Sequence, residues 1–193
     1  MLKYRKNISE KIGMGQLRKD RRENMYSVGQ FVVCGNKGVC TVEDITTLDI
    51  SGVDKAKLYY ILKPQYITAS TVYVPVENAA SLREVLTREQ AEQLVSEIPE
   101  IPPLKISNEK LAEQEYRNCM RSNDSTEWVR VIKTIYGRKQ KRLQAGRKET
   151  AVDGRYFKLA EDSLYGELAV ALGIERNQVS AYVTDRLQGA ASV

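Results

Sequence analysis

The sequence predicts an α+β protein in which a small twisted antiparallel sheet is followed by a compact all-α region, and three observations predict it. Two runs rich in β-branched residues, Val28, Phe31, Val32, Val33 and then Val39, Thr41, Val42, Ile45, flank Gly35-Asn36-Lys37-Gly38, a turn whose glycines tolerate positive φ. From Asn78 onward the apolar spacing changes from two residues to three and four. Three of the five prolines fall between Ile98 and Leu104, which reads as a joint between two units.

Residues 1–24 show no apolar periodicity and carry eight basic and three acidic side chains, so a disordered basic leader is expected, with a nucleic-acid-binding arm as its functional alternative. Arg21-Arg22 can be encoded by purine-rich codons resembling a ribosome-binding site, which makes Met25 a candidate natural start. The hairpin from Ser27 to Thr47 opens the sheet. Lys57 to Lys63 and Thr71 to Val76 continue it, with Ser51 to Asp54 and Pro64-Gln65 as turns. Pro75 cannot donate to a ladder and belongs at an edge or strand end. At least one sheet edge is therefore expected to be open, and open edges accept strands from other chains.

Between Asn78 and Glu97, Leu82, Val85, Leu86, Leu94, Val95 and Ile98 recur at helical spacing, and Thr87 followed by Gln90 reads as a capping box. One or two short helices are expected to close a module spanning 25–98. Residues 99–104 form a semi-rigid proline-rich joint to a helical unit at 105–188. Asn108 can cap a first helix reaching Arg121, with Leu111, Tyr116, Cys119 and Met120 inward. A second begins near Asp124-Ser125, and Trp128, Val131, Ile132, Ile135 and Tyr136 make one stripe. A third starts around Asp153, presents Tyr156, Leu159, Ala160, Leu164, Leu168, Ala171 and Leu172, and ends at Gly173. Glu175 to Leu187 is a shorter fourth, and the last five residues should fray.

The chain of 193 residues is 42% hydrophobic, enough for a core. It has no run near the roughly 18 apolar residues that cross a bilayer, and its amino terminus lacks an apolar signal region. A cytoplasmic protein without membrane attachment is expected, and a monomer. Cys34, Cys40 and Cys119 are odd in number, without CxxC spacing, and no histidine accompanies them, so buried free thiols are expected rather than zinc or disulfides. The lack of histidine excludes Ser-His and Cys-His nucleophiles, and neither a phosphate-cradling glycine loop nor a carboxylate dyad is found. No enzyme activity, cofactor or metal is expected.

Charge divides along the chain. Residues 25–104 sum to −4 and residues 105–193 to +4, which suggests two different partners. Arg130, Lys133, Arg138, Lys139, Lys141, Arg142, Arg147 and Lys148 follow one another with no intervening acid. Such a cluster can neutralise phosphates with salt-dependent, sequence-independent affinity; the alternative is a solvated helix face.

The opening Val28-Gly29…Val32-Val33, the turn before Gly38-Val39-Cys40 and Val42-Glu43-Asp44-Ile45, and Val72 to Ala79 (VYVPVENA) together resemble the amino-terminal Tudor-like module of the CarD/CdnL family of bacterial transcription regulators, shared with the transcription-repair coupling factor. Weaker similarity extends through Gly166 to Gly173 (GELAVALG), covering roughly residues 25–188. The resemblance implies a non-enzymatic regulator whose sheet docks on the RNA polymerase β subunit and whose helical part contacts upstream promoter DNA through phosphates and the minor groove, modulating open-complex stability. On that basis Thr47, Leu48, Tyr73 and Pro75 are the candidate polymerase-binding residues, and Asn108, Lys110, Lys139, Lys141, Arg142, Arg147, Lys148 and Arg155 the candidate DNA-binding residues. Relatives often carry arginines where Leu48 and Tyr73 stand, and ordinary sheet packing is the alternative for both. Relatives also insert a tryptophan at the minor-groove edge immediately after an asparagine equivalent to Asn108. Glu109 occupies that place here, and the lone Trp128 falls on an apolar stripe, where core packing is expected. An adaptor that binds polymerase and recruits another protein without touching DNA is the second reading.

Overall fold

The computed structural model describes residues 26–52, 54–66 and 70–190; the leader expected at 1–24 lies outside them. Strands β1 (Phe31–Val33) and β2 (Val39–Thr47) form the expected hairpin around a 3-10 turn at Gly35–Lys37. Strands β3 (Leu58–Pro64) and β4 (Val72–Pro75) extend the meander, and a two-residue strand not anticipated from the sequence, β5 (Arg83–Glu84), returns beside β1. The antiparallel order is β4-β3-β2-β1-β5. A register shift between Val42 and Asp44 leaves Glu43 as an extra residue, a bulge of the kind that increases local twist.

Because alternate strand residues face opposite sides, neighbouring pairs of the hairpin serve two cores. Val32 and Cys40, paired across the strands, join Val42, Ile45, Tyr60, Leu62, Val74 and Leu82 in a cluster belonging to the sheet. Val33 and Val39, the next pair, lie in the cluster formed by the helices.

Five α-helices follow: α1 (Arg88–Glu97), α2 (Ala112–Arg121), α3 (Ser125–Gln144), α4 (Ala151–Leu172) and α5 (Val179–Ala190). Their starts are set by side chains that satisfy first-turn amides. The Thr87–Gln90 capping box opens α1, Asn108 Oδ1 accepts from the Lys110 amide at 2.9 Å in a 3-10 turn preceding α2, Asp124 caps α3, and Thr150 caps α4. Helix α4 is buried along most of its length, with Tyr156, Ala160, Leu164, Gly166, Leu168, Ala169 and Leu172 all inside.

Helix α1, which sequence grouped with the sheet, packs on α4 and α5 instead, and its Ala91, Leu94 and Val95 belong to the helical cluster. The proline segment is likewise fastened down. Ile101 is buried, the Lys133 ammonium donates to the carbonyls of Ile98 (2.7 Å) and Pro99 (2.9 Å), and the Leu104 amide donates to Thr134 Oγ1 at 2.7 Å. Two stripe assignments also change. Leu111 is exposed because the inward position falls to Ala112, and Tyr136 is exposed because no residue of α3 beyond Ile135 is buried. The last turns of α3 project past the core.

Sheet and helices meet at Glu167, which is fully buried. Arg83 donates to both Glu167 carboxylate oxygens, and Glu167 also accepts from Ser125 Oγ at 2.6 Å and from the Leu86 amide at 3.1 Å. The Arg83 guanidinium lies 5.5 Å over Trp128. Beside it Asn123, in the left-handed region at φ 60, accepts from the Gly35 amide (3.0 Å) and donates to the Val33 carbonyl (3.1 Å). Gly166 leaves room for the Tyr66 ring, which a Cβ there would meet at 2.8 Å.

Removing one member of a buried ion pair strands the other charge, so Glu167→Ala is expected to destabilise the protein by about 3–5 kcal/mol. Trp128→Ala, which empties a site with no exposed surface, is expected to cost about 3–5 kcal/mol as well. Denaturant unfolding checks both, and a loss under about 1 kcal/mol for Glu167→Ala would show that this pair does not hold the layers together.

Candidate functional site

Two surfaces are built by these elements, one on the sheet and one at the free end of α3. On the sheet, β4 pairs only with β3 among the described residues and is an edge there. Strand β2 offers a second edge: β1 covers Val39 to Thr41, backbone bonds with Gly29 and Gln30 reach Val42, and no strand among the described residues pairs with Glu43 to Thr47 on that side. Tyr73 opposes Ile61, which opposes Asp44, and Pro75 opposes Tyr59, which opposes Thr46. Tyr73 and Pro75 thus share one face, with Tyr73 exposed and Pro75 half-buried. Thr47 is exposed at the end of β2. Leu48 is only 7% exposed, in keeping with the sheet-packing alternative.

The second surface begins where α3 leaves the core. Gly146, at φ 68, turns the chain back: its amide donates to the Leu143 carbonyl and the Arg147 amide to the Arg142 carbonyl, at 3.0 and 2.8 Å. This Schellman turn brings Arg147 and Lys148 beside the end of α3. Arg142 Nε then donates to the Lys148 carbonyl at 2.9 Å.

The acids missing from the basic run stand outside it, Glu127 in the first turn of α3 and the others on neighbouring elements. Glu109 accepts from Arg138 at 2.8 Å and faces Arg142 at 3.5 Å, Glu149 faces Lys139 at 3.4 Å, and Glu127 pairs with Arg130 at 2.7 Å. Buried Asp153 takes Arg138 Nε at 3.2 Å and the Tyr116 hydroxyl at 3.1 Å. Burial, with Asp153 beside it, raises the Tyr116 phenol above its ordinary range. The side chains of Lys110, Lys141, Arg147 and Lys148 are exposed and have no ion-pair partner among the described residues.

Six of the eight predicted DNA-binding residues are therefore gathered at one end: Asn108 and Lys110 through Glu109, with Lys141, Arg142, Arg147 and Lys148 around the Gly146 turn. Lys139 is held by Glu149. Arg155 lies apart on α4, where it pairs with Glu113 at 2.7 Å and stacks 5.0 Å from the Tyr156 ring. Arg138 stood in the basic run and Glu109 in the tryptophan's place, but neither was a candidate DNA-binding residue, and no local signal announced their pairing across 29 residues.

Trp128 is buried, as its stripe predicted, and is not available as a wedge. Among the described residues no cluster of metal-ligating side chains is present, and no helix is long and apolar enough to cross a membrane. The three cysteines are free. Burial pushes the Cys40 and Cys119 thiols up to about 12, and Cys34 is raised for the same reason.

Leu48→Asp is expected to destabilise the fold by about 2–5 kcal/mol, as losses of buried leucines do, whereas Tyr73→Glu is expected to leave thermal melting nearly unchanged. Equal effects of the two would overturn the placement of these side chains. Because thiolates are the reactive form, Cys40 and Cys119 should resist alkylation at pH 8 until denaturant is added. Rapid labelling of both in the native protein would contradict their burial.

A comparison with curated protein sequences found no match. Residues 26–86 match the family model described as the CarD-like/TRCF RID domain, a range that begins just before β1 and ends just before the cap of α1. This stretch of the chain, the whole of the sheet, is a member of that RNA polymerase-interacting domain family.

Proposed function

We propose that the protein is a non-catalytic regulator of transcription initiation, holding the RNA polymerase β subunit through its sheet and upstream promoter DNA through the end of α3. The family match over residues 26–86 carries the polymerase part and makes this an RNA polymerase-interacting protein. Two strand edges, β4 and the far half of β2, are unpaired among the described residues and can accept a strand, and backbone hydrogen bonds supply most of the affinity in strand addition. Thr47, Tyr73 and Pro75 border those edges, so partner choice falls to them despite the absence of the arginines that relatives carry there.

The DNA part rests on the unpaired cations at the Gly146 turn. Lys141, Arg147 and Lys148, with Lys110 nearby, offer charges that no acid of the described residues neutralises. Their contacts would be with phosphates and hence largely independent of sequence. Binding that favours the open complex shifts the closed–open equilibrium toward it. With Trp128 buried, that preference has to come from charge placement rather than from an inserted indole.

Tyr73→Glu is expected to weaken capture of purified polymerase without changing binding to free duplex. Lys141→Gln with Lys148→Gln is expected to do the reverse, flattening the salt dependence by about one unit of slope for each phosphate no longer neutralised. Retained polymerase binding together with an unchanged salt slope would leave an adaptor that recruits another protein.

A further inference from the structure

Arg138 and Arg142 stand one turn apart on the same face of α3, and each is fixed from behind. Buried Asp153 holds Arg138 Nε at 3.2 Å, and the Lys148 carbonyl holds Arg142 Nε at 2.9 Å. Their remaining nitrogens converge on one oxygen: Glu109 Oε1 lies 2.8 Å from Arg138 Nη2 and 3.5 Å from Arg142 Nη1. Two preset guanidinium groups around one oxyanion match what a phosphodiester requires.

Glu109 is poorly suited to a purely structural part. Its side chain is 66% exposed, and its neighbours Asn108, Lys110 and Leu111 are exposed too. Helix α2 is held on the core without it, by Ala112, Tyr116, Cys119 and Met120 and by the Tyr116–Asp153 hydrogen bond. Exposed ion pairs of this kind are weak and exchange readily with other anions.

We propose that the Arg138–Arg142 fork is a phosphodiester-binding site occupied in the free protein by the Glu109 carboxylate, an internal surrogate that the nucleic-acid backbone displaces. Glu109 thereby sets the affinity of the basic end of α3 for DNA. The inference rests on the DNA-contacting reading above and adds to it two residues, Arg138 and Glu109, and a built-in competitor.

The test is a salt titration of the full-length protein on a labelled DNA duplex. Glu109→Gln is expected to bind about threefold to tenfold more tightly and to steepen the salt dependence by about one unit. Glu115→Gln, which removes the same charge from adjoining α2 but pairs with no arginine among the described residues, should bind like the parent. The gain should vanish when Arg142→Gln is added. A Glu109→Gln protein no tighter than Glu115→Gln overturns the proposal, as does a gain that survives Arg142→Gln undiminished. Lys141→Gln with Lys148→Gln separates the two failures: if that pair weakens binding while Glu109→Gln changes nothing, only the fork is lost. If neither has an effect, DNA contact falls with it.

Discussion

The buried carboxylate of Glu167 is the constraint on which the remaining architecture depends. An ion of this kind without exposure is tolerable only when its oxygens are fully paired, and here Arg83, Ser125 and the Leu86 amide supply the donors. Arg83 is satisfied just as completely. Its Nε donates to the Asn123 carbonyl, Nη1 to the Glu84 carbonyl and Glu167, and Nη2 to Ser125 and Glu167. All five N–H groups of a guanidinium are thereby used in one place. A strand of two residues has little stability of its own, so β5 exists because this side chain is pinned.

The same latch gives physical content to the Gly166 to Gly173 segment. Gly166 admits the Tyr66 ring, Glu167 holds Arg83, Leu168, Ala169 and Leu172 fill the core, and Gly173 at φ 67 ends α4. Arg88 of α1 donates to the Leu172 carbonyl at that terminus. One short run thus ties together the sheet, the loop after β3, α1 and the helical core. The sheet and helices are joined along an interface, and the proline segment is fastened to α3 by Lys133 and Thr134.

Much of this was legible in the sequence because it is local. Strand alternation, the glycine turn, the Thr87 capping box, the caps at Asn108 and Asp124 and the stop at Gly173 are decided within a few residues. The burial of Trp128 was also legible, since helical spacing tells which residues share a face. Spacing does not say how far along a helix its neighbours reach, which is why Tyr136 was misplaced on a helix that outruns its core. Nor does it name tertiary partners. Glu167 lies 84 residues from Arg83, and α1 follows the sheet in the chain yet packs with the helices. The candidate DNA surface was legible as a run of like charge, but which cations are spoken for depended on acids brought in by the turn before α2 and the loop before α4.

Arg83, Glu167 and Asn123 join the two layers at several points, so sheet and helices cannot swivel freely about a single linkage. The protein is in this respect a jig rather than a tether. Whatever sits against the open strand edges and whatever sits at the tip of α3 are kept at one separation and one rotation. Under the proposed DNA contact, such a jig would select a rotational phase on the double helix, whose accessible side turns with every base pair: the same contacts brought a few base pairs nearer or farther would face the wrong side of the duplex.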